Sequence, residues 1–288
     1  MAKKSWGGPW TKKKLEAFSK YVWSYLTIMK KFPFWKTIYF DGFAGSGSRK
    51  EIKKNTPLLS LFNLTNEEEN LYKGAAERVI DLKDNLSFDY YYFIDTDKKA
   101  LNKLKEKLLK KSNGKKLIFR HDDVNNQLKK LAETLKKGKY VALVFLDPFG
   151  MQIKWDSIAQ LKGTRSDVWI LIPTGVIVNR LLDKKGKLKF KDKLEDFFGL
   201  SVNEIESIFY RKKTISTLFN DEEEQMIKIT EPIKKIAEVY TERMSTIWKY
   251  VTEPLVLKNS TGVPIFHLVF ASNNKTAYNI ASQIIEKT

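Results

Sequence analysis

The sequence predicts a doubly wound α/β fold with a mostly parallel sheet, closed by a β-hairpin. Three observations predict it. Five short apolar runs alternate with amphipathic helical patterns, the order that builds parallel strands through crossover helices. The first four runs end in acidic or glycine-bearing turns, and in such a sheet these strand ends share one edge, where ligands bind. After them Pro254-Leu255-Val256-Leu257-Lys258, a turn at Asn259-Ser260-Thr261-Gly262 and the run from Ile265 to Phe270 read as an antiparallel hairpin.

Thr11 is placed to cap a first helix, whose apolar positions Leu15, Phe18, Val22, Leu26 and Met29 recur every three or four residues. The helix is expected on the edge of the sheet, with Trp10, Lys13 and Lys14 either as contacts to a ligand or substrate or, the favoured reading, as an entry aromatic with solvated lysines. Pro33 ends it. Ile38, Tyr39 and Phe40 form the first strand, and Asp41-Gly42-Phe43-Ala44-Gly45-Ser46-Gly47 follows as a tight turn that lets backbone approach a ligand closely. A basic, polar stretch then leads to Thr56-Pro57 and an apolar helix.

The second strand, Tyr90 to Ile94, ends in Asp95-Thr96-Asp97. Asp97 stands where a helix N-cap belongs, whereas Asp95, at the strand end, is placed to accept hydrogen bonds from both hydroxyls of a ribose. The third strand, Leu117 to Phe119, leads into Arg120-His121-Asp122-Asp123-Val124-Asn125; Asp122 or Asp123 is a candidate for an adenine amino group, and one of them for the helix cap. His121 reads as a rim residue. The fourth run, Tyr140 to Leu146, is apolar throughout and so buried on both faces. It ends in Asp147-Pro148-Phe149-Gly150, where a carboxylate is costly unless paired or functional. A fifth strand, Val168 to Ile172, is closed by Pro173-Thr174-Gly175.

From there the alternation stops. Residues 181–251 read as a charged helical insertion, with Ile229, Ile233, Ile236, Tyr240, Met244, Ile247 and Val251 as one stripe of a long helix. The expected organisation is a core over 1–180, this insertion over 181–251, and the closing hairpin and terminal helix over 252–288.

Composition removes several chemistries. The chain has no cysteine and two histidines, so disulfides, thiolate metal sites, a Cys nucleophile and a three-His centre are all excluded. No metal site is expected. A net charge of +18, from 52 Lys and Arg against 34 Asp and Glu, points to a polyanionic partner, most simply nucleic acid. Lys184 to Lys193 and Arg211-Lys212-Lys213 are the candidate contacts. With no long apolar span and no signal-peptide core, a cytoplasmic location away from membranes is expected.

Several of these motifs occur together in a known family. Trp10-Thr11 with Lys14, the run from Tyr39 to Gly47, Thr56-Pro57-Leu58, Phe145 to Gly150 and Phe270-Ala271-Ser272 resemble the three-Cys-motif partner proteins (TcmP), over most of the chain. That family looks like S-adenosylmethionine-dependent methyltransferases and is named for a genetic neighbour bearing a three-cysteine motif. The resemblance implies a Rossmann-like class I methyltransferase sheet, S-adenosylmethionine as cofactor and that neighbour as a partner. More distantly, Phe43-Ala44-Gly45-Ser46-Gly47 with Asp147-Pro148-Phe149 is similar to the amino-methyltransferases of nucleic-acid bases, with their FxGxG and [DNS]PP[YFW] motifs. By that likeness Asp147 and the Pro148 carbonyl orient the acceptor amine and Phe149 stacks on the base. Here the second proline is missing and the aromatic comes one place early, with Gly150 behind it.

The expected cofactor residues are Asp41, Phe43, Gly45, Gly47, Asp95 and Asp123, and the expected catalytic residues Asp147, Pro148 and Phe149. Two other readings are a catalytically silent scaffold of the same fold, and a Mg²⁺-dependent nuclease or hydrolase built on Asp41, Asp95, Asp123 and Asp147.

Overall fold

The computed structural model describes residues 9–45, 74–82, 85–183, 186, 188, 190–216 and 222–288. The expected helix opened by Thr56-Pro57 and the second glycine of the turn, Gly47, lie outside them, as does part of Lys184 to Lys193.

Helix α1 (Pro9–Met29) precedes β1 (Lys36–Asp41). Next come α2 (Ala75–Ile80), β2 (Tyr90–Asp95), α3 (Lys98–Leu109), β3 (Leu117–His121), α4 (Val124–Lys137), β4 (Tyr140–Leu146), α5 (Trp155–Ala159) and β5 (Ser166–Ile172). A π-helical turn, Thr174–Val178, follows β5. The remainder is α6 (Lys191–Phe198), α7 (Val202–Phe209), β6 (Tyr210–Ser216), β7 (Glu222–Lys228), α8 (Pro232–Met244), β8 (Tyr250–Val251), β9 (Leu255–Lys258), β10 (Pro264–Ser272) and α9 (Lys275–Glu286).

The main sheet runs β3-β2-β1-β4-β5-β10-β8, with β9 also paired to β10. Strands β1 to β5 are mutually parallel, and β10 is antiparallel to β5. This is the expected doubly wound sheet with its closing hairpin. Because side chains alternate across a strand, β4 serves two layers. Phe145 faces α1, stacking on Phe18 with ring centroids 4.1 Å apart, while Leu146 faces Gly42 and Val124 of α4 on the other side.

Helix α1 lies across the middle of the sheet and not on its edge. Its Tyr21 packs on Trp169 of β5 and Phe270 of β10. The apolar periodicity marks the buried stripe but understates its width: Trp10, Thr11, Lys14, Tyr21 and Tyr25 are buried as well. A helix over a sheet centre buries more than one narrow stripe. Thr11 is inside the helix, which begins at Pro9, so it is not the cap.

The stretch 181–251 is not all helical. Strands β6 and β7 form a separate two-stranded antiparallel ribbon in which Lys212 reaches Glu224 at 2.7 Å. Nor does one helix span Ile229 to Val251. Pro232 begins α8, Met244 ends it, Ile247 is buried in the turn beyond, and Val251 belongs to the edge strand β8. Ring contacts hold this region to the core: Trp155 of α5 packs on Tyr240, Tyr240 on Phe197, and the Arg243 guanidinium covers Trp155.

Gly199 ends α6 in the left-handed region at φ 63°, and a Cβ there would lie 2.2 Å from the Trp155 ring. Gly199→Ala is expected to cost about 2–4 kcal/mol, from left-handed strain plus overpacking. Urea denaturation checks this; a loss below about 1 kcal/mol would show that the α6 end can shift freely.

Candidate functional site

Strand order reverses between β1 and β4: from β1 the chain steps outward to β2 and β3, and from β4 it steps the other way to β5. The crevice beyond the carboxyl ends of such a pair is where doubly wound sheets take ligands. Asp41 ends β1, and Asp147 immediately follows β4. The two carboxylates line one narrow pocket with Leu15, Phe43, Ala44, Ala75, Ala76 and Phe145.

Backbone bonds shape the turn. The Gly42 N–H donates to the Phe145 carbonyl, and the Ala44 N–H to Ile94, lacing the turn to both neighbouring strands. Gly42 has no room for a side chain, since a Cβ would lie 2.7 Å from Leu146 and 2.8 Å from Val124. Gly45 turns the chain at φ 40° and donates its N–H to Asp95 Oδ2 at 2.8 Å. The other Asp95 oxygen accepts from the Asp97 N–H at 2.7 Å. Asp97 caps α3 as the sequence predicts, accepting from Lys99 and Ala100. Asp95 is therefore fixed between the glycine turn and the start of α3.

Asp41 is 3% exposed. Its oxygens accept from the Tyr39 hydroxyl at 3.1 Å and the Phe43 N–H at 3.3 Å. Burial pushes its carboxyl up to about 7; the two donors pull it back, and the nearby Asp147 and Asp95 charges push it further.

Asp147 has a different partner. The Lys14 ammonium, 1% exposed, lies 2.5 Å from Asp147 Oδ2, and the carboxylate side chain is 5% exposed. Trp10 covers the ammonium, its ring centroid 5.5 Å from Nζ, and itself packs on Phe266 of β10. The burial of Lys14 corrects the expectation of a solvated lysine. A signal for it is present in the sequence: Lys14 stands four residues before Phe18 and so on the buried stripe of α1.

Beyond Asp147, Pro148 is buried and Phe149 half-buried, with the Phe149 N–H donating to Gln152 Oε1 at 2.9 Å. The π-helical turn flanks this loop, and a Cβ on Gly150 would touch Ile177 at 3.0 Å. The turn is tied to β10 by Thr174 and the His267 Nδ1, 2.8 Å apart. Burial pulls the His267 imidazole down to about 4, so it is neutral at pH 7.

Asp123 caps α4, its Oδ1 accepting from the Asn125 N–H at 2.7 Å, so the cap belongs to the residue that is also the candidate cofactor ligand. Asp122 accepts from Gln127, Asn126 and Lys130, and these donors hold it well below the ordinary carboxylate range. His121 Nε2 sits 3.0 Å from the Thr96 carbonyl, a tie between two strand ends. The structure thus brings Asp41, Phe43, Gly45, Asp95 and Asp147 around one crevice and gives Asp123 a capping task further out. Among the described residues no three acidic or histidine side chains converge as a metal site requires. A cavity of about 410 Å³ lies at the opposite end of the sheet, between the last turns of α1 and the start of β5, away from all these residues.

Comparison with known proteins adds little to this geometry. No family model matches the chain, and no curated protein matches it. Seven solved chains do. One is protein LPL1258 from Legionella pneumophila str. Philadelphia 1, of family DUF519, with 15% identity, 91% of this chain and 97% of that one covered, and a TM-score of 0.38. Another is Trm1 from Pyrococcus horikoshii, solved with S-adenosyl-L-methionine, with 12% identity, coverage of 95% and 72%, and a TM-score of 0.39. Likenesses of this size carry no argument about activity, and the strand order itself defines the fold. No helix among the described residues is long and apolar enough to cross a membrane.

The raised Asp41 makes stability depend on pH. Between about pH 4 and pH 7 the folded chain keeps a proton that the unfolded chain has released, so this group's contribution falls as pH rises through that window. Asp41→Asn is expected to flatten the decline, gaining about 2–4 kcal/mol over wild type at pH 7 but little at pH 4. Denaturant midpoints of both proteins across the window test this, and parallel curves would contradict it.

Proposed function

We propose that this protein is an S-adenosylmethionine-dependent methyltransferase whose acceptor is an amine, most simply on a nucleic-acid base. The observation that carries the reading is the pair of buried carboxylates, Asp41 and Asp147, on either side of the glycine turn at the β1/β4 crossover point. The donor set fits the cofactor. Asp41 offers a carboxylate to an amino-acid ammonium, Asp95 is fixed where ribose hydroxyls can donate to it, and Gly45 keeps the backbone close. Phe43 is half-buried at the pocket wall.

When bound, S-adenosylmethionine supplies a methyl group already activated by its sulfonium, so the chain's task is positioning. Asp147 accepts one N–H of the acceptor amine and the Pro148 carbonyl the other. This aims the nitrogen lone pair at the methyl carbon. Phe149 offers a ring for stacking. As the nitrogen gains the methyl it becomes cationic, and a carboxylate beside it stabilises that charge until a proton leaves. Without cysteine, methylation of a ring carbon through a thiolate adduct is excluded. The charge of +18 supports a polyanionic acceptor.

A scaffold that binds the cofactor without turnover, paired with a three-Cys-motif protein, is the second reading. The Phe149-Gly150 departure favours it. The third reading, a Mg²⁺-dependent nuclease or hydrolase built on Asp41, Asp95, Asp123 and Asp147, requires activity that is lost with a chelator.

Calorimetry with S-adenosylmethionine is expected to give roughly micromolar binding, lost in Asp95→Ala and absent with ATP. No binding by the wild type would overturn the proposal for the isolated chain. Binding with no transfer of labelled methyl to any RNA or DNA, together with a stable complex with the three-Cys-motif partner, would favour the scaffold. For the acceptor, log affinity should fall linearly with log salt, and reversing the exposed Lys191 and Lys193 of α6 to Glu should reduce the slope by about one for each phosphate no longer neutralised. A salt-independent affinity would remove nucleic acid as the acceptor.

A further inference from the structure

The cavity of about 410 Å³ at the far end of the sheet takes no part in the chemistry above. Its size is within the roughly 300–1,000 Å³ of small-molecule sites. Met29, Phe32, Trp35 and Val141 give it apolar walls, which suit a flat ring. Much of its polar lining is already engaged. The Thr164 and Ser166 hydroxyls bond to each other at 2.9 Å, Asn273 bonds to the Lys249 N–H and the Thr164 carbonyl, and Asn274 caps α9.

Asp167, Tyr25 and Arg165 have capacity left. Asp167 Oδ1 accepts from Ser272 at 2.5 Å and Oδ2 from Tyr21 at 2.6 Å, so each oxygen keeps a further lone pair. Tyr25 is 8% exposed, and its hydroxyl has no hydrogen-bond partner among the described residues. A buried hydroxyl in that condition is costly, and a partner arriving in the cavity removes the cost. The exposed Arg165 guanidinium lies over the Trp35 ring, 4.4 Å from its centroid, an arrangement that leaves its N–H groups in plane for an anion. Arg165 immediately precedes β5 and Asp167 is its second residue, alternate positions that share a face.

We infer that this cavity is a binding site for a guanine nucleotide, separate from the crevice at the carboxyl edge. Guanine presents N1–H and N2–H side by side, a donor pair that the two remaining lone pairs of Asp167 match. Its O6 stands beside them and accepts from the Tyr25 hydroxyl. Adenine has a bare ring nitrogen where guanine has N1–H, and that nitrogen faces the carboxylate without a proton between them. Burial pushes the Asp167 carboxyl up while Ser272 and Tyr21 hold it back, and two further donors favour the ionised form. The half-buried carboxylate lies deeper than the exposed guanidinium, so the base enters first and the phosphate meets Arg165. The inference does not rest on the methyltransferase reading, and a chain that fails to bind S-adenosylmethionine leaves it standing.

Calorimetry of the full chain with guanosine 5′-monophosphate is expected to show one site of roughly 10–100 μM affinity, unchanged by excess S-adenosylmethionine. Changes in the ligand test each contact without touching the fold. Inosine 5′-monophosphate lacks the N2 amine and guanosine lacks the phosphate; each is expected to bind about tenfold more weakly, and adenosine 5′-monophosphate at least about a hundredfold. Arg165→Ala should reduce the nucleotide to the level of guanosine, and Tyr25→Phe should weaken it about fivefold. Asp167→Asn should lose at least about thirtyfold; if that variant fails to fold, the inosine and adenosine nucleotides decide on the carboxylate. Equal affinity for the guanine and adenine nucleotides would overturn the inference. So would displacement by S-adenosylmethionine, which would put the nucleotide in the crevice.

Free nucleotide and RNA offer the same base and phosphate, and a second arm separates them. Single-stranded oligoribonucleotides that differ only in a central guanine or adenine are titrated with the chain. RNA is the source if the guanine oligomer binds more tightly than both the adenine oligomer and the mononucleotide, and loses that preference under excess guanosine 5′-monophosphate. Without a preference, the free nucleotide is the ligand. Binding by neither the mononucleotide nor the guanine oligomer in preference to its adenine counterpart would overturn the site altogether.

Discussion

The ion pair between Lys14 and Asp147 sets the terms for the rest of the structure. Burying two charges is expensive, and a single member left alone costs more than the pair. The pair therefore constrains where α1 can lie, because only one position of the helix brings Lys14 to the end of β4. The apolar contacts agree with it: one turn along, Phe18 stacks on Phe145. Further along the same face Tyr21 donates to Asp167 at the start of β5 at 2.6 Å, and Ser272 of β10 donates to the other Asp167 oxygen. Helix α1 is thus tied by polar contacts at both ends of the central strands, with aromatic packing between. Apolar packing alone tolerates sliding and rotation of a helix on a sheet; two buried polar ties a few turns apart do not.

That registration has a chemical consequence. The carboxyl edge of the sheet collects Asp41, Asp95 and Asp147 in a chain whose overall charge is strongly positive. In the proposed reaction, a local acidic edge on a basic protein separates two recognition tasks. Short-range hydrogen bonds at the edge suit a small ligand with an ammonium and hydroxyls, whereas the wider positive field suits an extended polyanion. In the proposed reaction both are needed, because the acceptor must be drawn in by its phosphates and then presented by one nitrogen.

The order of the strands, the Asp97 cap and the closing hairpin are legible in the sequence because each depends on local pattern: buried runs, a side chain two residues from its amide partner, a turn between two short strands. Asp41, Asp95 and Asp147 are legible for a related reason, since strand ends are visible and parallel strands put them on one edge. Lys14 is not. Its role depends on a partner 133 residues away, and in sequence it is one of three consecutive lysines, two of which are indeed exposed. The β6–β7 ribbon escapes because its charges alternate with few apolar residues, so neither the strand nor the helix period stands out. Asp123 illustrates a third limit: capping and ligand binding ask for the same residue type at the same place, and the bond from the Asn125 N–H shows that the cap is engaged.

The aromatic one place early in Asp147-Pro148-Phe149-Gly150 has a structural cause. Gly150 packs against Ile177 of the π-helical turn so closely that even a Cβ would press on its side chain. The turn cannot simply retreat, because a Cβ on Gly175 would stand 2.2 Å from the Pro264 carbonyl, which is how tightly the turn meets β10, and Thr174 is tied to His267. A ring at position 150 would press first on the Ile177 δ-methyl. At position 149 the side chain is half-buried and its own N–H is anchored on Gln152, so the ring is held at the rim without disturbing the turn. The Phe149-Gly150 order is thus compatible with the π-helical turn after β5, whose Ile177 already lies against Gly150. Irregular helical turns of this kind recur beside functional sites.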